Sequence, residues 1–469
     1  MVGAEGVAQA RLDRLDAEGA AILRLASPAI RGHTLKVLRL GPAGDDSDVD
    51  RELLGPLRAR IEAGIAAEPR LRERLEPTPL RLAPPAWVAD ESFAVGRHVR
   101  AHSSVVSEDE LPDVLAQLMQ RPLAPDRPLW GIDLATLADG GAVVVCRIHH
   151  ALADGAASMR IMDRLLWGPE PSDAPSPPQP APGRGQLIRA GLADRGHRVG
   201  SSLAAPLLHR AAWADRIRGF GLLARVLQRE LGSGPATPTV LDSEIGPRRE
   251  LAWARIPLAH AQEIAHAVQP RATVNDVLLA TVGGALRSWL PGLSRDACLR
   301  VKVPVSMHRA GEDPSLGNRD SFFLVDLDAA DTDPASRLRR ISAQTAERKH
   351  SDAETMHRFV ADLRTIAPLG RLLDRIVQSP REFTVEVSNV RGPDGPVAVA
   401  DRPVRELLTF AEPAQRHALR VTAISCAGAL TVGLCTDPSV APDPARLASA
   451  IEREVAASRA AVRPSRARS

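Results

Sequence analysis

The chain contains no tyrosine, and only seven phenylalanines and six tryptophans among its 469 residues. With so few rings, and a net charge of only +3, it offers neither the stacking platforms nor the basic footprint that nucleic-acid binding needs. Cysteine is equally scarce. Cys146, Cys298, Cys426 and Cys435 are scattered, form no CxxC pair, and lie in or beside strand-like runs. They read as buried reduced thiols, not as disulfides or a metal cluster. No apolar run is long enough to span a bilayer and no apolar signal segment follows Met1, so the expected compartment is the cytoplasm. Basic residues are nearly all arginine, and alanine and proline are frequent, which reflects a GC-rich genome more than a function. What remains is an ordinary globular composition, 44% hydrophobic and 25% charged. Such a chain can bury a large core, and its length suits roughly two to four domains.

The chemistry concentrates in residues 141–155, GAVVVCRIHHALADG. An apolar run ends in His149 and His150, a short loop follows, and Asp154-Gly155 opens a helical pattern. A histidine pair where a buried strand gives way to a loop suits acid–base work, because the strand fixes the ring and the loop leaves room for substrate. Neighbouring side chains on a strand point to opposite faces. The pair therefore reads as one working and one supporting histidine, not as twin ligands. Asp154 could hold an imidazole or an arginine, or cap the helix. The plainer alternative is two packed histidines and an N-cap aspartate. A metal site from His149, His150 and Asp154 is poor, since the imidazoles diverge and no third His or Cys has matching spacing.

Along the chain, periodicity places strands at 33–40, 130–137 and 142–148, and helices over 48–75, 108–119 and 156–167. Residues 169–183 (PEPSDAPSPPQPAPG) form a Pro/Ser linker. Residues 184–231 are helical in pattern, with nine arginines facing Asp194, Asp215 and Glu230 up to residue 230. Leucine, tryptophan and phenylalanine interleave with the arginines. This pattern suits a lipid surface, or a bridging helix pair with a solvated basic face. The second half returns to α/β alternation: strands at 250–256, 298–305, 321–327, 382–389, 395–400, 417–426 and 429–435, and helices at 258–268, 274–290, 334–350, 352–378 and 443–458. Thr273 and Asp276 carry the spacing of a capping box. The expected division is 1–168 as a first half, 169–245 as linker and basic crossover, 246–458 as a second half, and 459–469 as a disordered basic tail. A cleft between two such halves is the expected ligand site.

HHALADG (149–155) has the form HHxxxDG. Further pieces follow in order: WVADESFAVGRHV (87–99), RPLAPDRPLW (121–130), IGPRRELAWARIPL (245–258), ATVNDVLLATVGGALRSWL (272–290), VPVSMHR (303–309), GNRDS (317–321), SNVRGP (388–393) and ISCAGALTVGLCTD (424–437). HHxxxDG alone marks a wide group of acyl-CoA-dependent acyltransferases, which includes chloramphenicol acetyltransferase and peptide-synthetase condensation domains. The joint pattern resembles the bacterial wax ester synthase/diacylglycerol acyltransferase family, from about residue 70 to the C-terminus. Ala124 stands where that family usually has Asp, and Arg391 where Pro is usual. The N-terminal stretch DAEGAAILRLASPAIRGHT also departs from the family's entry.

The resemblance implies a two-domain, chloramphenicol-acetyltransferase-like α/β fold with mixed sheets and an interdomain active-site tunnel. It implies transfer of a fatty acyl group from acyl-CoA to diacylglycerol or a long-chain alcohol, directly and without an acyl-enzyme. No cofactor is expected beyond acyl-CoA as co-substrate. His150 would be the general base, His149 its support, and Asp154 would hold the loop through an arginine. Gly155 would permit the tight entry into the helix. Asn275 would line the cleft, and Asn318, Ser388 or Asn389 would donate to the oxyanion. The expected partners are acyl-CoA, a lipid or alcohol acceptor, and a peripheral membrane or lipid-droplet surface. The alternatives are a non-catalytic lipid-surface-binding protein and an acyltransferase of the same superfamily with a different hydroxyl or amine acceptor.

Overall fold

The computed structural model describes residues 12–42, 49–66, 68–169, 182–208, 236–269, 271–294, 296–306, 320–328, 331–349 and 383–462. Two six-stranded mixed sheets organise it. The strands are β1 (His33–Leu40), β2 (Glu73–Glu76), β3 (Ala86–Ala89), β4 (Val99–Ala101), β5 (Trp130–Thr136), β6 (Ala142–His149), β7 (Glu250–Pro257), β8 (Cys298–Ser306), β9 (Asp320–Asp328), β10 (Val385–Val390), β11 (Ala398–Val399), β12 (Arg402–Ala411), β13 (Leu419–Cys426) and β14 (Ala429–Thr436). The first sheet has the order β11-β12-β1-β6-β5-β4, the second β7-β14-β13-β10-β8-β9, and β2-β3 form a small pair.

Alternation along β1 and β6 explains how the first sheet is buried on both faces. Leu35, Val37, Val143 and Val145 join the core on one face, while Leu38, Leu40, Val144 and Cys146 join the core on the other, as period-two side chains require. In the second sheet the odd positions of β8, β10 and β13 (Val301, Val303, Val385, Val387, Val421, Ala423) pack into one apolar core. The buried faces of helices Leu258–Ala267, Val274–Trp289 and Pro444–Val462 belong to the same core. The even positions, among them Lys302, Glu386, Ser388, Arg420 and Thr422, project to the opposite face. That face meets β12: Thr422 Oγ1 donates to the Thr409 carbonyl (2.5 Å) and Thr431 Oγ1 to the Leu407 carbonyl (2.6 Å).

β12 is the departure from the expected order of strands. It lies late in the chain yet pairs antiparallel with β1 through Thr34–Leu40, so the first sheet is completed by a segment from the second half. Periodicity missed it because Pro403 stands near its start, where proline argues against a paired strand, and because Ala400 and Asp401 make the turn before it with φ of 45° and 63° and no glycine. The expected strand over 395–400 shortens to β11 because of the same turn. Other differences lie at element ends. The helix expected over 48–75 is Val49–Ile65 followed by a 3-10 turn at Pro69–Arg72. The last helix runs to Val462, with Arg459 paired to Glu263 at 2.6 Å.

The basic segment begins as helix Arg184–Leu208. Its first turns rest on the first half: Leu187 is buried with Ala86 and Val88, and Arg14 pairs with Asp194. Arg184, Arg189 and Arg195 are exposed. Residues 209–231, the helix expected at 352–378, the polar loop 308–319 with Asn318, and the tail from 463 lie outside the described residues. Among the described residues, no helix is long and apolar enough to cross a membrane.

Candidate active site

β6 ends on His149, directly across from His33 of β1. Both rings are buried. The His149 Nδ1 accepts the Ala151 N–H at 3.0 Å, and the ring also holds a hydrogen bond with the Arg31 backbone. Nδ1 is thus the acceptor and Nε2 the donor, the tautomer that these partners set. Burial pushes His149 down to about 4, only partly opposed by the Arg31 bond. Burial, followed by the charge of Arg147, pushes His33 down to about 3. Gly32 lies against the His149 ring with φ of +77°, and a Cβ there would stand 2.6 Å from Nε2. Gly32→Ala is expected to lose about 1–3 kcal/mol of stability from the left-handed backbone and the displaced ring. Denaturant unfolding measures it, and an unchanged midpoint would show that the ring has room to move.

His150 looks the other way. Its N–H donates to the Gly32 carbonyl at 2.8 Å. The residue as a whole is half-buried, and its imidazole lies in the field of Arg420, Lys36 and Glu386. Burial first, then the Arg420 charge, pushes the imidazole down to about 4, so it is neutral at physiological pH. Two ionic groupings from different sheets act on it. Lys302, Glu386 and Arg420 occupy one row across β8, β10 and β13. Glu386 pairs with Arg420 and lies 3.5 Å from Lys302. Burial pushes Glu386 up, but the two cations outweigh it and hold the carboxyl down at about 2. From the first sheet, buried Lys36 donates to Thr409 Oγ1 at 2.7 Å. Burial pushes Lys36 down to about 8, opposed chiefly by the Asp154 charge.

Asp154 is buried and caps the helix Gly155–Met162, its Oδ1 accepting the Ala157 N–H at 2.7 Å. Its charge acts on buried Lys36. Gly155 brings the helix start against the end of β10: a Cβ there would lie 3.0 Å from Val390 Cγ2. Ser388 shares the face of Glu386 and is half-buried, whereas Asn389 points the other way and is exposed. Asn275 stands in the first turn of helix Val274–Trp289, beside Asp276. Asp276 completes the capping box and accepts from Thr345 Oγ1 at 2.7 Å. Arg391 is exposed and pairs with Asp394 at 2.6 Å, and Ala124 is also exposed.

Sequence reasoning passed over Lys36, Glu386, Arg420 and Glu412. The first three carried a signal, a charge flanked by apolar residues inside a strand (TLKVL, FTVEVS, ALRVT), which in a buried strand needs a partner. Cys146 and Cys435 are buried, and burial pushes both thiols up to about 12. Neither is a nucleophile at neutral pH.

Two family descriptions match the chain, a wax ester synthase/diacylglycerol acyltransferase catalytic domain over residues 15–278 and the corresponding C-terminal domain over 316–457. A Mycobacterium tuberculosis protein named as a putative diacylglycerol O-acyltransferase is 30% identical, over 92% of this chain and 93% of that protein. A second of that name and organism is 28% identical, over 83% of this chain and 79% of its own length. Among solved structures, the wax ester synthase/diacylglycerol acyltransferase from Marinobacter aquaeolei VT8 superposes with a TM-score of 0.68 at 21% identity, covering 96% of this chain and all of that one. The starter condensation domain of rhizomide synthetase, solved with C8-CoA and Leu-SNAC, superposes at 0.60 with 14% identity, over 98% and 97% of the two chains.

Proposed function

Because the chain belongs to the wax ester synthase/diacylglycerol acyltransferase family, we propose that it is an acyl-CoA-dependent O-acyltransferase in which His150 takes the proton from the acceptor hydroxyl. The acceptor is diacylglycerol, giving triacylglycerol, or a long-chain alcohol, giving a wax ester. The observation that carries the assignment is the neutral His150 ring, at a strand end, facing groups from both sheets.

The steps balance without a further group. The His150 imidazole accepts the hydroxyl proton while the acceptor oxygen bonds to the thioester carbon, and the carbonyl oxygen gains negative charge. The carbon–sulfur bond then breaks as the carbonyl reforms. The proton on His150 goes to the departing sulfur, giving free CoA and the ester. Ser388, on the face of β10 that carries Glu386, is the described candidate for a hydrogen bond to the oxyanion. His149, tied to Arg31 and Ala151, supports the turn from the opposite face. Asp154 and Gly155 hold the following helix, and Asn275 borders the acceptor space from the second half. No thiol intermediate is required, in keeping with the raised cysteine pKa values, and acyl-CoA acts as co-substrate with no other cofactor.

Product and acceptor are insoluble in water, so a peripheral position on a membrane or lipid droplet belongs to this reading. The arginine-rich segment 184–231 supports it, at about 1 kcal/mol per basic group near an anionic surface. The test is purified protein with labelled acyl-CoA against alcohols, diacylglycerols and water. Ester formation from an apolar acceptor is expected, and hydrolysis alone would refute the acceptor assignment. Replacing Arg210, Arg216, Arg218 and Arg225 together by glutamine is expected to weaken flotation with anionic liposomes and turnover of emulsified acceptor. Turnover of a short soluble alcohol should be spared. Flotation equal to the parent protein at low salt would leave the segment as a bridge only.

A further inference from the structure

One half-buried carboxylate outside the described chemistry is tied to the histidine turn by an unbroken set of hydrogen bonds. Glu412 directly follows β12, the strand from the second half that completes the first sheet. Its carboxylate accepts the Arg31 N–H at 2.8 and 3.0 Å through its two oxygens, and the Gly32 N–H at 2.6 Å. The same two residues are the ones that touch the histidines. The Arg31 backbone bonds the His149 ring, the Gly32 backbone lies against Nε2, and the Gly32 carbonyl accepts the His150 N–H at 2.8 Å.

We infer that Glu412 is the positioning residue of the histidine turn, fixing the Arg31–Gly32 peptide so that His149 and His150 are aimed correctly for the acyl transfer proposed above. The physical reason is the left-handed backbone of Gly32. A glycine visits many conformations at similar cost, so something must select this one, and two N–H groups converging on one carboxylate do so. Burial pushes Glu412 up to about 7 despite the two backbone bonds and the nearby Arg249 and Arg31, so at neutral pH the group is only partly charged. Its reach, more than its charge, is what holds the peptide. Errors of about 1 Å in the placement of a catalytic group cost on the order of 100-fold in rate, which is the effect at stake.

Two conservative variants separate reach from charge. Glu412→Gln keeps an oxygen at the same distance and loses the charge. Glu412→Asp keeps the charge and withdraws it by one methylene. If Glu412 acts by position, Glu412→Asp lowers kcat about 10- to 100-fold with the KM for acyl-CoA unchanged, while Glu412→Gln stays within a few-fold of the parent. The histidine side-chain nitrogen spectrum gives a readout that does not depend on turnover: the His149 signals move in the Asp variant and stay in the Gln variant. Loss of kcat in the Gln variant, or an unchanged kcat and unchanged His149 signals in the Asp variant, overturns the inference. A parent protein that transfers no acyl group to any acceptor counts against the proposed function instead, and the nitrogen spectra still decide the role of Glu412.

Discussion

His150→Ala is expected to lower acyl transfer by about 10²- to 10⁴-fold while the protein stays folded, since loss of a positioned general base is worth that much. The backbone bond from the His150 N–H to the Gly32 carbonyl survives the change, which favours an intact turn. His149→Ala should act differently. It removes the ring that bonds Arg31 and Ala151, so its loss should come with lowered stability. A dead His149 variant beside an active His150 variant would reverse the two assignments. The pH profile is a second check. His150 titrates near 4 in the free enzyme, so kcat/KM should hold as pH falls through 6.5 and drop only near pH 4, where the protonated ring can no longer accept. Stability behaves otherwise over the same range. His33, His149 and His150 all have depressed pKa values, so the unfolded chain binds protons below about 6.5 that the native chain refuses. Their contribution is present above 6.5 and is lost as pH falls towards 4. Rates must therefore be referred to the folded fraction.

Asp154→Ala is expected to cost about 1–3 kcal/mol, enough to depress soluble yield as well as activity. Two effects contribute. The helix cap to Ala157 is worth about 1 kcal/mol. The other is the loss of the carboxylate's field on buried Lys36, whose own hydrogen bond goes to Thr409. Lys36 can relieve some of this by losing its proton, as its pKa is already down to about 8. Asp154→Asn divides the two, since asparagine caps as well as aspartate but carries no charge. Denaturant unfolding of the three proteins should place the asparagine variant between the parent and the alanine variant. An asparagine variant as stable as the parent would mean that capping is the whole of the structural role. If that stable variant were also inactive, the carboxylate would have a direct part in the chemistry.

Much of the site was legible because local chemistry determines it. The run of apolar residues ending in two histidines is a strand end in any fold that buries it. Asp154 before a helical pattern is a cap, and Thr273 with Asp276 closes the capping box that the spacing suggested. The opposite orientations of His149 and His150 follow from the two-residue period of the strand they end. Glu412 was not legible. It sits in FAEPAQ, which reads as a loop, and its partners are Arg31 and Gly32, far away in sequence.

The sequence by itself determined the α/β alternation, the histidine pair and the local caps, since these depend on periodicity and on residues close along the chain, and its ordered motifs carried the resemblance to the family. Tertiary structure alone decided which groups act on His150. Lys36, Glu386 and Arg420 meet there because β12 leaves the second half to pair with β1, bringing the polar face of the second sheet against the first. That pairing rests on the packing of whole strands and on a turn at Ala400-Asp401 made without glycine. Only when the sheets close does water leave, and only then do the charges acquire the partners that keep His150 neutral and aimed.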